Sequence, residues 1–168
     1  YPFSERLKYM FRRILFPTDF SDYARRVMDC IADLPGVMEV VMVHIVGTNK
    51  PASLRSDMVS SARTRIESEA TLLNNLGIPS VRTEVMVHES PAAGIDDAAN
   101  RNNSDIIVMG ARGKSIIKGL RLGSVTQKVL HESKKNLLIM RGPIIETWSG
   151  EKFQKYCPLI FSRVLVPV

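Results

Sequence analysis

Short β-branched apolar runs alternate along this chain with segments of helical periodicity, and that alternation leaves few folds open. The clearest run is Glu39-Val40-Val41-Met42-Val43-His44-Ile45-Val46, almost continuously apolar, as expected of a strand covered on both faces. Residues 12 to 16 read as a buried strand that stops at Pro17. Ser21, ahead of Val27, Met28 and Ile31 at helical spacing, predicts an N-capped helix running to about Asp33 and closed by Leu34-Pro35-Gly36. From 52 to 76, Leu54, Met58, Ala62, Ile66, Ala70 and Leu73 recur three and four residues apart, with Arg55, Arg63, Glu67 and Glu69 expected on the other side. Gly77 and Pro79 end that helix. Then come a strand at 81–87, a helix capped by Ser90-Pro91 and ending near Asn103, a strand at 105–109, a helix at 124–134 and a strand at 136–141. Five strands separated by four helices imply a doubly wound parallel α/β sheet, because parallel neighbours need right-handed crossovers. Ligands in such sheets bind beyond the carboxyl ends of the strands, where Asp19, Ile45 and Gly110 all fall.

At 168 residues the chain can fill one domain with a full core but not two. Its formal charge of +6 would suit an acidic partner, yet the basic residues are scattered and form no aromatic-interleaved stripe, which argues against nucleic acid. One basic cluster, Arg112, Lys114, Lys118 and Arg121, lies in a glycine-rich segment where it would suit a polyphosphate. No apolar run reaches the roughly 18 residues of a membrane span, and the first residues lack the apolar core of a signal peptide. Cys30 and Cys157 alone suggest no disulfide framework, so a cytoplasmic location is expected.

The glycine-rich segment follows the fourth strand: Asp105-Ile106-Ile107-Val108-Met109, then Gly110, Gly113, and Gly123-Ser124 at the start of the next helix. Glycines after a buried strand let peptide N–H groups approach an anion, and the free N–H groups at a helix start point at the same place. A Walker A loop and a dinucleotide fingerprint both require glycine at position 108, which is Val108, so neither motif is present.

The spacing Gly110-x2-Gly113-x9-Gly123-Ser124 resembles the pattern of nucleotide-binding members of the universal stress protein family. Ile14-Leu15-Phe16 running into Pro17-Thr18-Asp19 resembles that family's opening strand, and the resemblance extends over roughly residues 12 to 142. It implies strand order 3-2-1-4-5 and an adenine-nucleotide alpha hydrolase-like, Rossmann-like fold. It also implies a site for ATP or AMP, accompanied by Mg or Mn. Asp19, with Pro17 and Thr18, would lie against the base; from spacing alone Asp19 reads rather as a turn or capping residue. Ile45 and Val46 would offer backbone groups and an apolar wall, a role as compatible with the strand core, and Met109 would pack near base or ribose. Gly110, Arg112, Gly113, Gly123, Ser124, Val125 and Thr126 would surround the phosphates, although Ser124 also reads as a plain helix N-cap.

No catalytic constellation is legible: His44, His88 and His131 stand singly on different elements, and His44 reads as a core histidine. The expected role is therefore a nucleotide-responsive regulatory module and not an efficient enzyme. Its rivals are a ligand-free dimerising interaction protein, which the complete glycine pattern disfavours, and a slow ATPase or phosphotransferase. The resemblance implies a homodimer, or pairing within a tandem chain, through the strand at Leu137–Met140. A tandem arrangement is expected from a second pattern: Phe11, Arg13, Leu15 and Pro17 recur as Phe161, Arg163, Leu165 and Pro167, a constant offset of 150. This divides the chain into an extension (1–11), a domain (12–142), a linker (143–160) and the first strand of a second domain (161–168).

Overall fold

The computed structural model describes residues 11–111 and 122–140. Arg112 and Gly113, and the linker and second-domain strand expected after residue 142, lie outside the described residues.

Among the described residues nine elements follow in the expected order. They are β1 (Arg13–Pro17), α1 (Asp22–Ile31), β2 (Glu39–Gly47), α2 (Ala52–Asn75), β3 (Ser80–His88), α3 (Pro91–Arg101), β4 (Ile106–Gly110), α4 (Ser124–Glu132) and β5 (Asn136–Met140). The strands form one parallel sheet in the order β3-β2-β1-β4-β5. Alternate residues of the central strands feed two cores, because side chains on a strand point to opposite faces. Ile14, Phe16, Val40, Met42, Ile106 and Val108 pack under α1 and α2 with Val27, Met28, Ile31, Ile66 and Leu73. Leu15, Val41, Val43, Ile107 and Met109 pack on the other face against Ile95, Ala98, Ala99 and Val129 of α3 and α4.

Local chemistry sets the helix boundaries. Ser21 Oγ accepts the Ala24 N–H and Ser90 Oγ accepts the Ala93 N–H, the expected caps of α1 and α3. Gly77, at φ 92°, closes α2 in the left-handed region, which glycine enters without penalty. Asn103, at φ 48°, takes the left-handed region just beyond α3, which ends near the expected residue.

Three expectations are corrected. The apolar stripe of α2 is buried at Ala62, Ile66, Ala70 and Leu73, but Leu54 and Met58 are 45% and 37% exposed, because no element among the described residues covers the first turns of the helix. Glu69, expected on the solvent side, is only 5% exposed: it stands three residues after Ile66 and four before Leu73, on the edge of the same stripe. Cys30, on the inner face of α1, is disulfide-bonded where no disulfide was expected.

Burial raises the carboxyl of Glu69 above its ordinary value, chiefly by desolvation, with Arg25, the Thr18 hydroxyl and Arg65 pulling it back. Desolvation raises Asp29 and Asp33 in the same direction. A carboxyl that binds its proton more tightly in the folded state favours folding below its unfolded pKa, and that contribution is lost as pH rises through the folded value. Glu69→Gln removes one such loss. Its stability relative to the parent is therefore expected to rise as the pH is raised above the ordinary carboxyl range, as read by urea unfolding at several pH values.

Candidate functional site

The sheet order reverses between β1 and β4: the chain leaves β1 toward β2 and β3 on one side, and returns to β4 and β5 on the other. The connections at the carboxyl ends of β1 and β4 therefore diverge and leave a crevice between them. A cavity of about 350 Å³ opens there, within the range of small-molecule sites. Its walls are mostly apolar, from Val43 and Ile45 of β2, Ile95 of α3 and Met109 of β4. Pro17, Thr18 and Asp19 close one end, and Gly110 with Gly123, Ser124, Val125 and Thr126 forms the other.

Most of the candidate residues that the structure describes thus line one cavity. Val46, next along β2, is almost fully buried and does not line it. Ala24, Val43, His44, Pro91 and Ile95 line it without having been singled out. The sequence signal for Pro91 and Ile95 was the N-cap of α3, which starts the helix at the cavity rim. His44 is no plain core histidine: it is half-buried, lines the cavity, and its Nδ1 lies 2.8 Å from the Thr18 carbonyl oxygen.

The turn after β1 is held at several points. The Thr18 N–H donates to Val43 O at 2.9 Å, tying the turn to β2. Its hydroxyl faces away from solvent, donates toward Glu69 Oε2 at 3.4 Å and accepts the Phe20 N–H at 3.0 Å. Asp19 Oδ1 accepts the Ser21 N–H at 3.0 Å, so the turn role read from spacing is present in the same residue that faces the cavity.

At the other end, Gly123 and not Ser124 is the N-cap of α4, and among the described residues no side chain caps that helix. Ser124, Val125 and Thr126 are its first three residues, whose N–H groups have no carbonyl partner within the helix. Thr126 is buried and its hydroxyl donates to Gly110 O at 3.0 Å, fastening the helix start to the end of β4. Gly123 N–H donates to Ala111 O at 2.8 Å, pinning together the two ends of the glycine-rich segment. An apolar slot therefore runs toward a positively polarised helix end, an arrangement that suits a flat ring carrying an anion. Among the described residues no cluster of three or more His, Cys, Asp or Glu side chains could hold a metal ion, and no helix is long and apolar enough to cross a membrane.

The fold and the site can be compared with known proteins. The model of the universal stress protein family matches residues 10–141. Universal stress protein MJ0577 of Methanocaldococcus jannaschii is 26% identical over 157 residues, covering 79% of this chain and 96% of its own. The solved structure of MJ0577 superposes with a TM-score of 0.72 at 28% identity, over 79% of this chain and 97% of the other. A universal stress protein from Archaeoglobus fulgidus in complex with dAMP shares the fold at a TM-score of 0.59 and 23% identity, over 77% and 98% of the two chains. Another universal stress protein, in complex with cAMP, does so at 0.57 and 21%, over 77% and 95%. With a family match spanning most of its length, over a sheet of order 3-2-1-4-5 wound on both faces, this chain belongs to the universal stress protein family.

Proposed function

We propose that the protein binds an adenine nucleotide in the crevice between β1 and β4 and serves as a nucleotide-responsive regulatory module. One observation carries the reading: an apolar slot and a helix start without a side-chain cap open into a single cavity. Ile45 and Met109 form the walls for the base, and the Pro17-Thr18-Asp19 turn closes that end. The N–H groups of Ser124, Val125 and Thr126 receive the phosphates, with Gly110 and Gly123 leaving room for them. Arg112 and Gly113, in the segment whose ends Ala111 and Gly123 hold together, complete the phosphate side in this reading. The dAMP and cAMP complexes of the two structural relatives support an adenine ligand. Mg or Mn would arrive on the phosphates of ATP, since the described residues offer no carboxylate cluster of their own.

Titration calorimetry tests this directly. ATP or AMP is expected to bind, and Gly123→Leu to weaken binding at least about tenfold, the loss of roughly 1.4 kcal/mol. Gly123 has φ −59°, which any residue adopts, so the variant reports lost space and not backbone strain. Unchanged binding by Gly123→Leu would remove the phosphate assignment, and absence of heat with either nucleotide would remove the function. Turnover of ATP with Mg or Mn, if measured above the Asp19→Ala variant, would favour the slow ATPase instead.

Self-association through β5 belongs to the same proposal. Among the described residues β5 is an edge strand whose Leu137, Leu138 and Ile139 are only half-buried, an arrangement that favours pairing with a second copy or a second domain. Leu138→Lys is expected to shift sedimentation from dimer toward monomer; a dimer that persists unchanged excludes this edge.

A further inference from the structure

Behind the cavity, two residues one helical turn apart on α2 hold the turn that carries Asp19. Arg65 donates from Nη2 to the Phe20 carbonyl oxygen at 3.2 Å and lays its guanidinium 4.5 Å from the centre of the Phe20 ring. Glu69 accepts the Thr18 hydroxyl at 3.4 Å, and that hydroxyl accepts the Phe20 N–H at 3.0 Å. The spacing of four places both side chains on one face of the helix. Phe20 itself sits at φ 61°, in the left-handed region that residues other than glycine enter only at a cost. Its ring lies 4.4 Å from that of His44, which also bonds the Thr18 carbonyl. The strained residue next to Asp19 is therefore tied to α2 at its N–H, its carbonyl and its ring.

Glu69 is a costly choice for this place. Its neighbours along the buried stripe are Ile66, Ala70 and Leu73, and its nearest cation, Arg25 of α1, is 3.7 Å away on a side chain that is mostly in water. A well-packed apolar residue at such a position is commonly neutral or stabilising. A buried carboxylate directed at the one turn that closes the cavity is a residue whose value lies in what it holds.

We propose that Glu69 and Arg65 are positioning residues of the ligand site, fixing the direction of Asp19 through Thr18 and Phe20. The inference rests on the nucleotide reading of the cavity. It predicts that stability and binding separate, which a merely structural role would not produce.

The test uses the full chain with ATP and AMP as probes in titration calorimetry, beside thermal unfolding. Glu69→Leu is expected to keep or raise Tm while weakening nucleotide binding about tenfold, the scale of one lost positioned hydrogen bond. Glu69→Gln keeps an acceptor for the Thr18 hydroxyl and is expected to restore affinity to within about threefold. Arg65→Met should weaken binding in the same direction as Glu69→Leu. Parent-like affinity in Glu69→Leu overturns the proposal, and so does a parallel fall of Tm and affinity. If the parent binds neither nucleotide, the functional reading falls separately, and amide exchange at Phe20 decides the inference: faster exchange in Glu69→Leu upholds the hold on the turn, and unchanged exchange overturns it.

Discussion

The pairing of β1 with β4 is the constraint on which the rest depends. Ile14 and Leu15 lie beside Ile106 and Ile107, partners some ninety residues apart in the chain, and this contact joins the two halves of the sheet. Because the chain enters that pair from opposite sides, the turn after Pro17 and the segment after Gly110 have to diverge. The crevice is thus a consequence of topology before any side chain is chosen. The β-branched and apolar residues of these strands make the pairing durable by burying both faces, one under α1 and α2 and the other under α3 and α4.

Much of this was legible in the sequence because it is local. Pro17 ends a strand for want of an N–H, Ser21 and Ser90 cap helices, and Gly77 supplies a positive φ. What escaped depends on where one element stops relative to another. The periodicity of α2 runs unbroken from Leu54 to Leu73, but the layer it packs on covers only its later turns, and no pattern within the helix records that. Glu69 escaped for the complementary reason: its type says solvent, while its position at the border of a buried stripe says core, and position prevailed. His44 and Ile95 escaped because lining a cavity is a property of three elements together.

The candidate site shows the same division. Glycine spacing after β4 pointed to one end of the cavity, since a backbone that turns sharply at a strand end restricts residue type there, and the family resemblance of Pro-Thr-Asp pointed to the other. The apolar walls left no such mark: Ile45 and Met109 are residues that a strand core would hold anyway, and their exposure to the cavity follows from standing at the carboxyl ends of their strands. Ser124 was ambiguous for a physical reason as well. A hydroxyl at a helix start and a bound anion satisfy the same N–H groups, and only the backbone shows that Gly123 takes the cap position.

These features share an energetic character that sets the carboxyl end of the sheet apart from its core. Phe20 holds a disfavoured backbone conformation, and Glu69 carries its charge in a place suited to leucine. Both depart from what local propensity alone would choose, and both belong to the residues that hold one wall of the cavity. Sequences that fold well agree with themselves at every level, so departures gathered at one end of an otherwise consistent fold point to a requirement other than stability. Here the requirement is a turn and a helix start kept open and aimed at each other across the gap between β1 and β4, and the two wound cores supply the stability that lets this end remain strained.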